Sequence, residues 1–218
     1  GRVAKLGKGV NTDSAGQPLK EGDRVVYQYF VPCGRCPACL RGNHAACAAN
    51  LMYMVPCEPP PHFFGAYAEY YYLRPEQVVI KVPDNLADGI VAPVNCALSE
   101  VIYGLEQIRL GFGETIVIQG AGGLGVYATA VTREMGAHRI IVIDGIADRL
   151  ELAKAFGADE IVDMRQYPTP EARIGRVMEL TGFRGADGVA EFVGTPAAVP
   201  EGLAMLGQGG RYLEIGNI

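Results

Sequence analysis

Four of the six cysteines lie within fifteen residues of one another, and their spacing suits a metal ion. The pattern is Cys-x2-Cys-x2-Cys-x7-Cys. Gaps of two residues allow a tight turn to direct neighbouring thiolates at one ion, and four sulfurs complete a tetrahedral zinc shell. Such a shell leaves no ligand position open for a substrate. We therefore predict a structural zinc that stabilises a lobe of the chain, held by Cys33, Cys36, Cys39 and Cys47.

The principal alternative for this cluster is a set of disulfide bonds in a secreted protein. Chains built on disulfides are usually shorter and begin with a signal peptide. The sequence opens Gly-Arg-Val-Ala-Lys and shows no apolar stretch after these charges,. We therefore favour zinc over disulfide bonds and expect a cytoplasmic protein.

A second motif, with G-x-G-x-x-G spacing, begins at Gly120 and could bind a dinucleotide,. The motif alone is a weak signal, but here it follows an apolar run and opens a helical pattern. Its glycines permit a tight turn, close approach to a pyrophosphate and close packing of the helix on the strand. The helix N-terminus adds free amide groups and a positive dipole end. The predicted cofactor-binding residues of this loop are Gly120, Gly122, Gly123, Leu124 and Gly125.

An acidic residue stands where a ribose-binding carboxylate is expected after such a loop. Asp144 ends the next apolar run, 19 residues after Gly125,. Its carboxylate can accept hydrogen bonds from the adenosine ribose and would repel a 2′-phosphate, so NAD is favoured over NADP. Arg149, on the following helix, either reaches the adenosine ribose or phosphate or is a solvated charge. The alternative for the whole motif is a tight strand–helix turn without a ligand.

Alternating strands and helices position this loop in the second half of the chain. The apolar runs predict strands at 115–119, 140–144, 160–162, 188–193 and 211–215,. Helical patterns fall between them at 123–135, 147–156, 170–180 and 197–206,. This alternation predicts a parallel sheet with helices on both faces.

The first half has a different character. Short β-rich runs bounded by glycine and proline occur at 23–27, 65–73 and 77–82,. We therefore predict two domains, with an all-β, zinc-bearing part over 1–96 and a nucleotide-binding part over 97–218.

Composition excludes several classes of protein. The chain contains 19 Lys and Arg residues and 24 Asp and Glu residues, which gives a net charge of −5. This acidic balance argues against a nucleic-acid partner. Hydrophobic residues make up 49% and charged residues 20%, which is typical of a globular chain,. No apolar run approaches the roughly 20 residues that span a bilayer, so we expect no membrane association.

With a four-cysteine lobe preceding a dinucleotide motif, the chain resembles the zinc-containing medium-chain alcohol dehydrogenases. The resemblance covers almost the whole length. It is carried by the opening Gly-Arg-Val-Ala-Lys-Leu-Gly-Lys-Gly-Val, the four cysteines, Cys96, the glycine loop, Asp144, and the segments Gly22-Asp-Arg-Val, Gly65-Ala-Tyr-Ala-Glu-Tyr and Gly157-Ala-Asp. It implies an α/β protein in which a partial GroES-like β domain with a structural zinc lobe precedes a Rossmann domain, a doubly wound parallel sheet.

The resemblance also implies a function and further site residues. The function is that of an NAD-dependent zinc alcohol dehydrogenase, transferring a hydride between an alcohol, or its carbonyl, and NAD. Cys96 is similar to the family's third ligand of a catalytic zinc; the alternative is a small buried thiol at a helix start. Val193 and Ile215 are expected near the nicotinamide, at strand carboxyl ends.

Two ligands of the family's catalytic zinc stand before the position of Gly1, and its sixth Rossmann strand follows the last residue here. We therefore expect this chain to be a fragment of a longer enzyme and to be inactive alone, because one thiolate cannot hold a catalytic zinc. The expected partner is a small-molecule alcohol, and we expect the full-length protein to be a homo-oligomer.

Two other functions compete with the dehydrogenase hypothesis. One is a zinc-independent quinone or carbonyl reductase of the same superfamily, whose members generally lack both the cysteine lobe and a counterpart of Cys96. The other is a non-catalytic zinc-binding interaction module, which the acidic balance and the nucleotide motif argue against.

Overall fold

A computed structural model describes residues 1–48, 58, 60, 62–63, 65, 67–75 and 77–216. The chain divides into two units, Gly1–Asn95 and Cys96–Ile218. No helix in the described part has the length and apolar character needed to cross a membrane.

The first unit contains few regular elements among its described residues. Two short strands, β1 (Val25–Tyr27) and β2 (Val79–Lys81), pair antiparallel. Between them lie a short helix α1 (Pro37–Leu40) and a 3₁₀ turn (His44–Ala46), and α2 (Asp88–Val91) follows.

The predicted strand at 65–73 is wrong: its described residues form no strand. Gly65 has a φ of 95°, which lies outside the extended region and bends the chain,. Tyr71 instead stacks its ring on Tyr27 of β1, with the ring centres 4.9 Å apart. At least one aromatic side chain of this segment therefore packs against a neighbouring strand although the segment itself forms none.

The second unit begins with a π-helical turn (Val94–Leu98), shared with the end of the first, that leads into α3 (Ser99–Gln107). Strands and helices then alternate. The strands are β3 (Thr115–Gln119), β4 (Arg139–Asp144), β5 (Glu160–Asp163), β6 (Ala186–Glu191) and β7 (Leu206–Glu214). The helices between them are α4 (Gly123–Glu134), α5 (Ala147–Ala155), α6 (Pro170–Leu180) and α7 (Ala198–Ala204).

All five strands are parallel, in the order β5-β4-β3-β6-β7. Alternate residues of β3 enter different cores: Ile116 and Ile118 pack in one with residues of α3, α4 and α5, whereas Val117 packs in the other with Val177 of α6. Burial on both faces explains why the strands are almost continuously apolar. The direction of strand addition reverses next to β3, so the carboxyl ends of β3 and β6 border a crevice, the usual ligand site of such sheets.

Within the second unit, the predicted and observed elements differ most at the last two strands. β6 ends at Glu191, two residues earlier than predicted, because the Glu191 side chain accepts hydrogen bonds from the next amides, those of Val193 and Gly194. β7 begins at Leu206, earlier than predicted, and its pairing with β6 contains a register shift that accommodates a glycine-rich segment.

Candidate functional site

The four cysteines at 33, 36, 39 and 47 converge. Their sulfur atoms all lie within 4.8 Å of one another, with Cys39 and Cys47 buried and the other two half-buried. None of the four forms a disulfide bond. The structure therefore brings together the four residues that the sequence predicts to bind zinc.

Local backbone geometry produces this convergence. Cys36 is the N-cap of α1, and Pro37 occupies the first helical turn, where a missing N–H costs nothing,. Cys39 lies on that helix, and its carbonyl accepts from the amide of Gly42, which has a φ of 79°. The chain thus reverses at Gly42 and returns Cys47 to the cluster, where its sulfur accepts a hydrogen bond from the Cys33 amide (3.3 Å).

The pKa values of the cysteine thiols in this cluster favour the binding of a metal cation. Hydrogen bonds from the amides of Arg35 and Cys36 lower the pKa of Cys33 to about 6. The Cys39 amide and side chain similarly lower the pKa of Cys36, whereas burial raises the pKa of Cys39 to about 12. A buried thiol with a high pKa becomes a thiolate only when a metal ion compensates its charge. Four cysteine sulfurs at this separation fit a closed tetrahedral zinc site.

This geometry gives a direct test. We expect the purified chain to contain about one zinc ion and the Cys39→Ser variant to contain far less, because three thiolates and a poor oxygen ligand cannot close the shell. The zinc content is measured by elemental analysis after purification without chelator. Cys96→Ser is the matched control and should keep its zinc. A Cys39→Ser chain with the wild-type zinc content would refute the assignment.

The glycine loop has the geometry that its motif predicts. Gly120 turns the chain out of β3 at a φ of 91°, and its amide donates to the Ile143 carbonyl (2.8 Å). A Cβ atom on Gly125 would overlap the Gly120 carbonyl oxygen, so α4 approaches β3 at a distance that only glycine permits. Sequence and structure therefore agree on why two of the three motif glycines are required.

The start of α4 is shaped to receive an anionic group. Gly122 is its N-cap, and a Cβ atom on Gly122 or Gly123 would meet nothing within 4 Å. The first-turn amides, which include those of Leu124 and Gly125, have no acceptor within the helix. Open space beside free amides at the positive end of a twelve-residue helix fits the pyrophosphate of a dinucleotide,.

Asp144 is placed at the end of β4 and is only 8% exposed. One carboxylate oxygen accepts from the amide of Ala121 in the glycine loop (2.7 Å), and the other accepts from the amide of Ile146 (2.8 Å). Each oxygen keeps further acceptor capacity. Arg149, with a side chain 51% exposed, lies 4.0 Å from this carboxylate.

The two other predicted contacts lie at the ends of β6 and β7. Val193 is half-exposed, next to Gly194 with its φ of 74°. The side chain of Ile215 lies close to Gly104 of α3, and its amide donates to the Glu191 carbonyl. The amide of Ile215 is therefore already hydrogen-bonded and part of its side chain is covered by α3, so only the rest of the residue is left to contact a ligand.

Cys96 lies in the π-helical turn, and its side chain is exposed. The alternative of a small buried thiol is therefore wrong. π-Helical turns occur often at functional sites. The cluster at 33, 36, 39 and 47 is the only group of three or more metal-ligating side chains within the described part of the chain, so Cys96 has no partner ligands there.

Two sequence families match most of the chain. The alcohol dehydrogenase GroES-like domain matches residues 1–84, and the zinc-binding dehydrogenase family matches residues 123–218. The chain belongs to the zinc-containing medium-chain alcohol dehydrogenase family. The predicted fold class is thereby confirmed, with a GroES-like first unit and an α/β second unit.

Relatives within this alcohol dehydrogenase family are named for different alcohols. The chain is 36% identical over 217 residues to 5-exo-hydroxycamphor dehydrogenase of Pseudomonas putida, covering 99% of this chain and 59% of that protein. It is 32% identical to sorbitol dehydrogenase of Bacillus subtilis, covering 99% of this chain and 56% of that one. The chain thus spans less than two thirds of the length of these relatives.

A solved structure of the family supports the same fold. An alcohol dehydrogenase from Thermotoga maritima superposes with a TM-score of 0.88 at 32% identity, covering 100% of this chain and 60% of that one.

The sequence pattern missed one residue of the dinucleotide-binding unit. Glu191 is completely buried at the carboxyl end of β6, and its Oε1 atom accepts from the amides of Val193 (2.5 Å) and Gly194 (2.8 Å). The available signal was an acidic residue within the apolar run Gly188-Val-Ala-Glu-Phe-Val-Gly. A charge in a buried strand requires hydrogen-bond donors close by, and here the following turn supplies them.

Proposed function

We propose that the whole protein is an NAD-dependent, zinc-dependent alcohol dehydrogenase. One observation carries this proposal: open space and free amides at the start of α4, next to a carboxylate at the end of the neighbouring strand. The family's relatives, named as dehydrogenases, support the same reaction class.

The residues of the second unit have distinct roles in this proposal. The amides from Gly122 to Gly125 bind the pyrophosphate, and Asp144 accepts hydrogen bonds from the adenosine ribose. Arg149 is exposed close enough to Asp144 to reach the same ribose or its phosphate. The backbone and side chains at Val193 and Ile215 border the nicotinamide at the strand ends.

When bound, the dinucleotide accepts or donates the hydride, and a catalytic zinc supplies a Lewis acid for the alcohol oxygen. Cys96 is proposed as one ligand of that zinc. Its exposed thiol is accessible, and as a thiolate it would neutralise part of the metal charge,. The described residues supply no further ligands beside it, so we propose that this chain alone is inactive.

The proposed substrate is a small alcohol; one relative is named for hydroxycamphor, which has one hydroxyl group, and another for the polyol sorbitol. The resemblance implies that polyol and threonine dehydrogenases often carry glutamate where Cys96 stands, so a simple alcohol is favoured over a polyol. We further propose that the full-length protein is a homo-oligomer and that it is cytoplasmic. Five described cysteines are free thiols, as expected in a reducing compartment,.

Replacing Asp144 tests the dinucleotide site. We expect Asp144→Asn to weaken NADH binding by about ten- to one-hundredfold, since a hydrogen bond to a charged acceptor is lost, while NADPH binding weakens less or improves because the repelling charge is gone. Both affinities are measured by fluorescence titration of the purified chain.

The matched control is Asp148→Asn, which removes the same charge from an exposed position on α5. It should leave both affinities near the wild-type values. An Asp144→Asn chain that keeps its unfolding temperature and the wild-type preference for NADH would contradict ribose binding by Asp144. A wild-type chain that binds neither dinucleotide would contradict the proposed function.

A further inference from the structure

The last residue of β6 holds both of the turns that follow the last two strands. The side chain of Glu191 is completely buried, and its Oε1 atom accepts hydrogen bonds from the amides of Val193 (2.5 Å) and Gly194 (2.8 Å). Its backbone carbonyl accepts two more, from the amides of Ile215 (3.1 Å) and Gly216 (3.1 Å). Four amides from two separate turns therefore converge on one residue.

The first of these turns forms a small concave site that the chain fills with its own carboxylate. Successive amides of such a turn make an anion-binding pocket, and Gly194 supplies the left-handed residue with a φ of 74°,. Because both amides point at Oε1 of Glu191, they are not free to bind a ligand. The side chain of Val193, which is 51% exposed, is left as the part of this turn that can contact one.

The two turns also touch each other and the glycine loop. A Cβ atom on Gly216 would lie 2.1 Å from Oε2 of Glu191 and 2.4 Å from the Gly194 amide nitrogen, so these turns meet at a distance that only glycine permits. A Cβ atom on Gly120 would lie 3.0 Å from a methyl group of Val193. The chain segments after β3, β6 and β7 are thus packed together around the Glu191 carboxylate, and the position of each constrains the others.

The proposed function puts the nicotinamide at these strand ends. Resting on that proposed dinucleotide binding, we propose that Glu191 is a positioning residue, whose side chain fixes the turn at 193–194 and thereby shapes the nicotinamide subsite. Glu191 does not itself touch the ligand, because it is completely buried. The rest of the dinucleotide is bound by other groups in this proposal, the amides at 122–125 and Asp144 of β4. Replacing the Glu191 side chain should therefore affect the nicotinamide half selectively.

The physical reason is the loss of an acceptor that orients two amides. In Glu191→Ala the amides of Val193 and Gly194 lose their charged acceptor, so the turn adopts other conformations and fewer molecules keep the one that binds nicotinamide. Glutamine keeps an acceptor oxygen with the same reach, so Glu191→Gln should retain most of the affinity. Gly216→Ala displaces the same turn while leaving the glutamate in place, and it should resemble Glu191→Ala.

The experiment compares two ligands, one of which lacks the nicotinamide. Isothermal titration calorimetry of the 218-residue chain with NADH and with ADP-ribose gives the ratio of the two affinities. We expect Glu191→Ala and Gly216→Ala to weaken NADH binding by about tenfold or more and ADP-ribose binding by about twofold or less. Glu191→Gln should stay within about threefold of the wild-type affinity for both ligands.

Glu179→Ala, at an exposed position of α6, is the control and should keep both wild-type affinities. Thermal unfolding verifies that each variant is folded, and Gly216→Ala decides the question if Glu191→Ala does not fold. A wild-type ratio of affinities in the folded variants, whether both affinities fall together or neither falls, would overturn the positioning role. A wild-type chain that binds ADP-ribose as tightly as NADH would also overturn it while leaving the adenosine site intact. A wild-type chain that binds neither ligand would instead overturn the proposed function.

Discussion

Gly125→Ala is expected to weaken NADH binding strongly and to destabilise the second unit. The new Cβ atom would overlap the carbonyl oxygen of Gly120, which is backbone and cannot rotate away. Gly120 is itself held by a hydrogen bond from its amide to Ile143 (2.8 Å). Relief therefore requires α4 to move away from β3, which takes the amides of its first turn out of position. We expect an NADH affinity lower by about one-hundredfold and a loss of about 1–3 kcal/mol in stability.

The measurements are NADH titration and urea unfolding of the same preparations. Gly175→Ala is the matched control, because Gly175 lies within α6 and a Cβ atom there would meet nothing within 4 Å. This substitution should raise stability by about 0.5–1 kcal/mol, since alanine loses less backbone entropy in a helix. Wild-type NADH affinity in a stable Gly125→Ala chain would show that close approach of α4 is not needed for binding.

The second unit could be predicted from sequence because its pattern is local. Each strand is an apolar run buried on both faces, and each helix shows apolar residues at helical spacing. The predicted bounds of the strand at 115–119 and of the helix at 170–180 therefore agree with the observed ones. The ends of β6 and β7 could not be predicted in the same way. They depend on the Glu191 side chain and on a register shift, which are contacts between segments distant in the sequence.

In the first unit, the pattern of residues along the chain was a poorer guide to the secondary structure. The Tyr-rich segment at 65–73 has the composition of a strand, but Tyr71 is used in stacking on Tyr27 and its hydroxyl accepts from Gln77 (3.2 Å). Composition alone does not distinguish an aromatic residue in a strand from one that packs on a strand.

In contrast, the cysteine cluster could be predicted, because spacing determines which thiolates a tight turn can bring together. The opposite pKa shifts of Cys33 and Cys39 depend on amide positions and burial, which spacing does not reveal.

Arg173→Met is expected to cause the largest loss of stability in the second unit. Arg173 of α6 and Glu201 of α7 form a two-point ion pair, with N–O distances of 2.7 and 2.6 Å, and their side chains are only 7% and 8% exposed. Removing the guanidinium leaves a carboxylate buried without its partner, which costs about 3–5 kcal/mol. The free energy of unfolding in urea measures this loss.

The double variant Arg173→Met/Glu201→Met separates the pair from its surroundings. With both charges replaced by apolar side chains of similar length, most of the lost stability should return, because the penalty of Arg173→Met comes from an unpaired charge. The pair holds α7, which begins at Ala198, and the Ala198 carbonyl accepts a hydrogen bond from Gln119 at the end of β3 (3.0 Å), close to the proposed dinucleotide site. If the two apolar side chains keep α7 in place, the double variant should bind NADH like the wild type. A double variant as unstable as Arg173→Met would show that the arginine acts instead through its hydrogen bond to the Tyr167 carbonyl (3.1 Å).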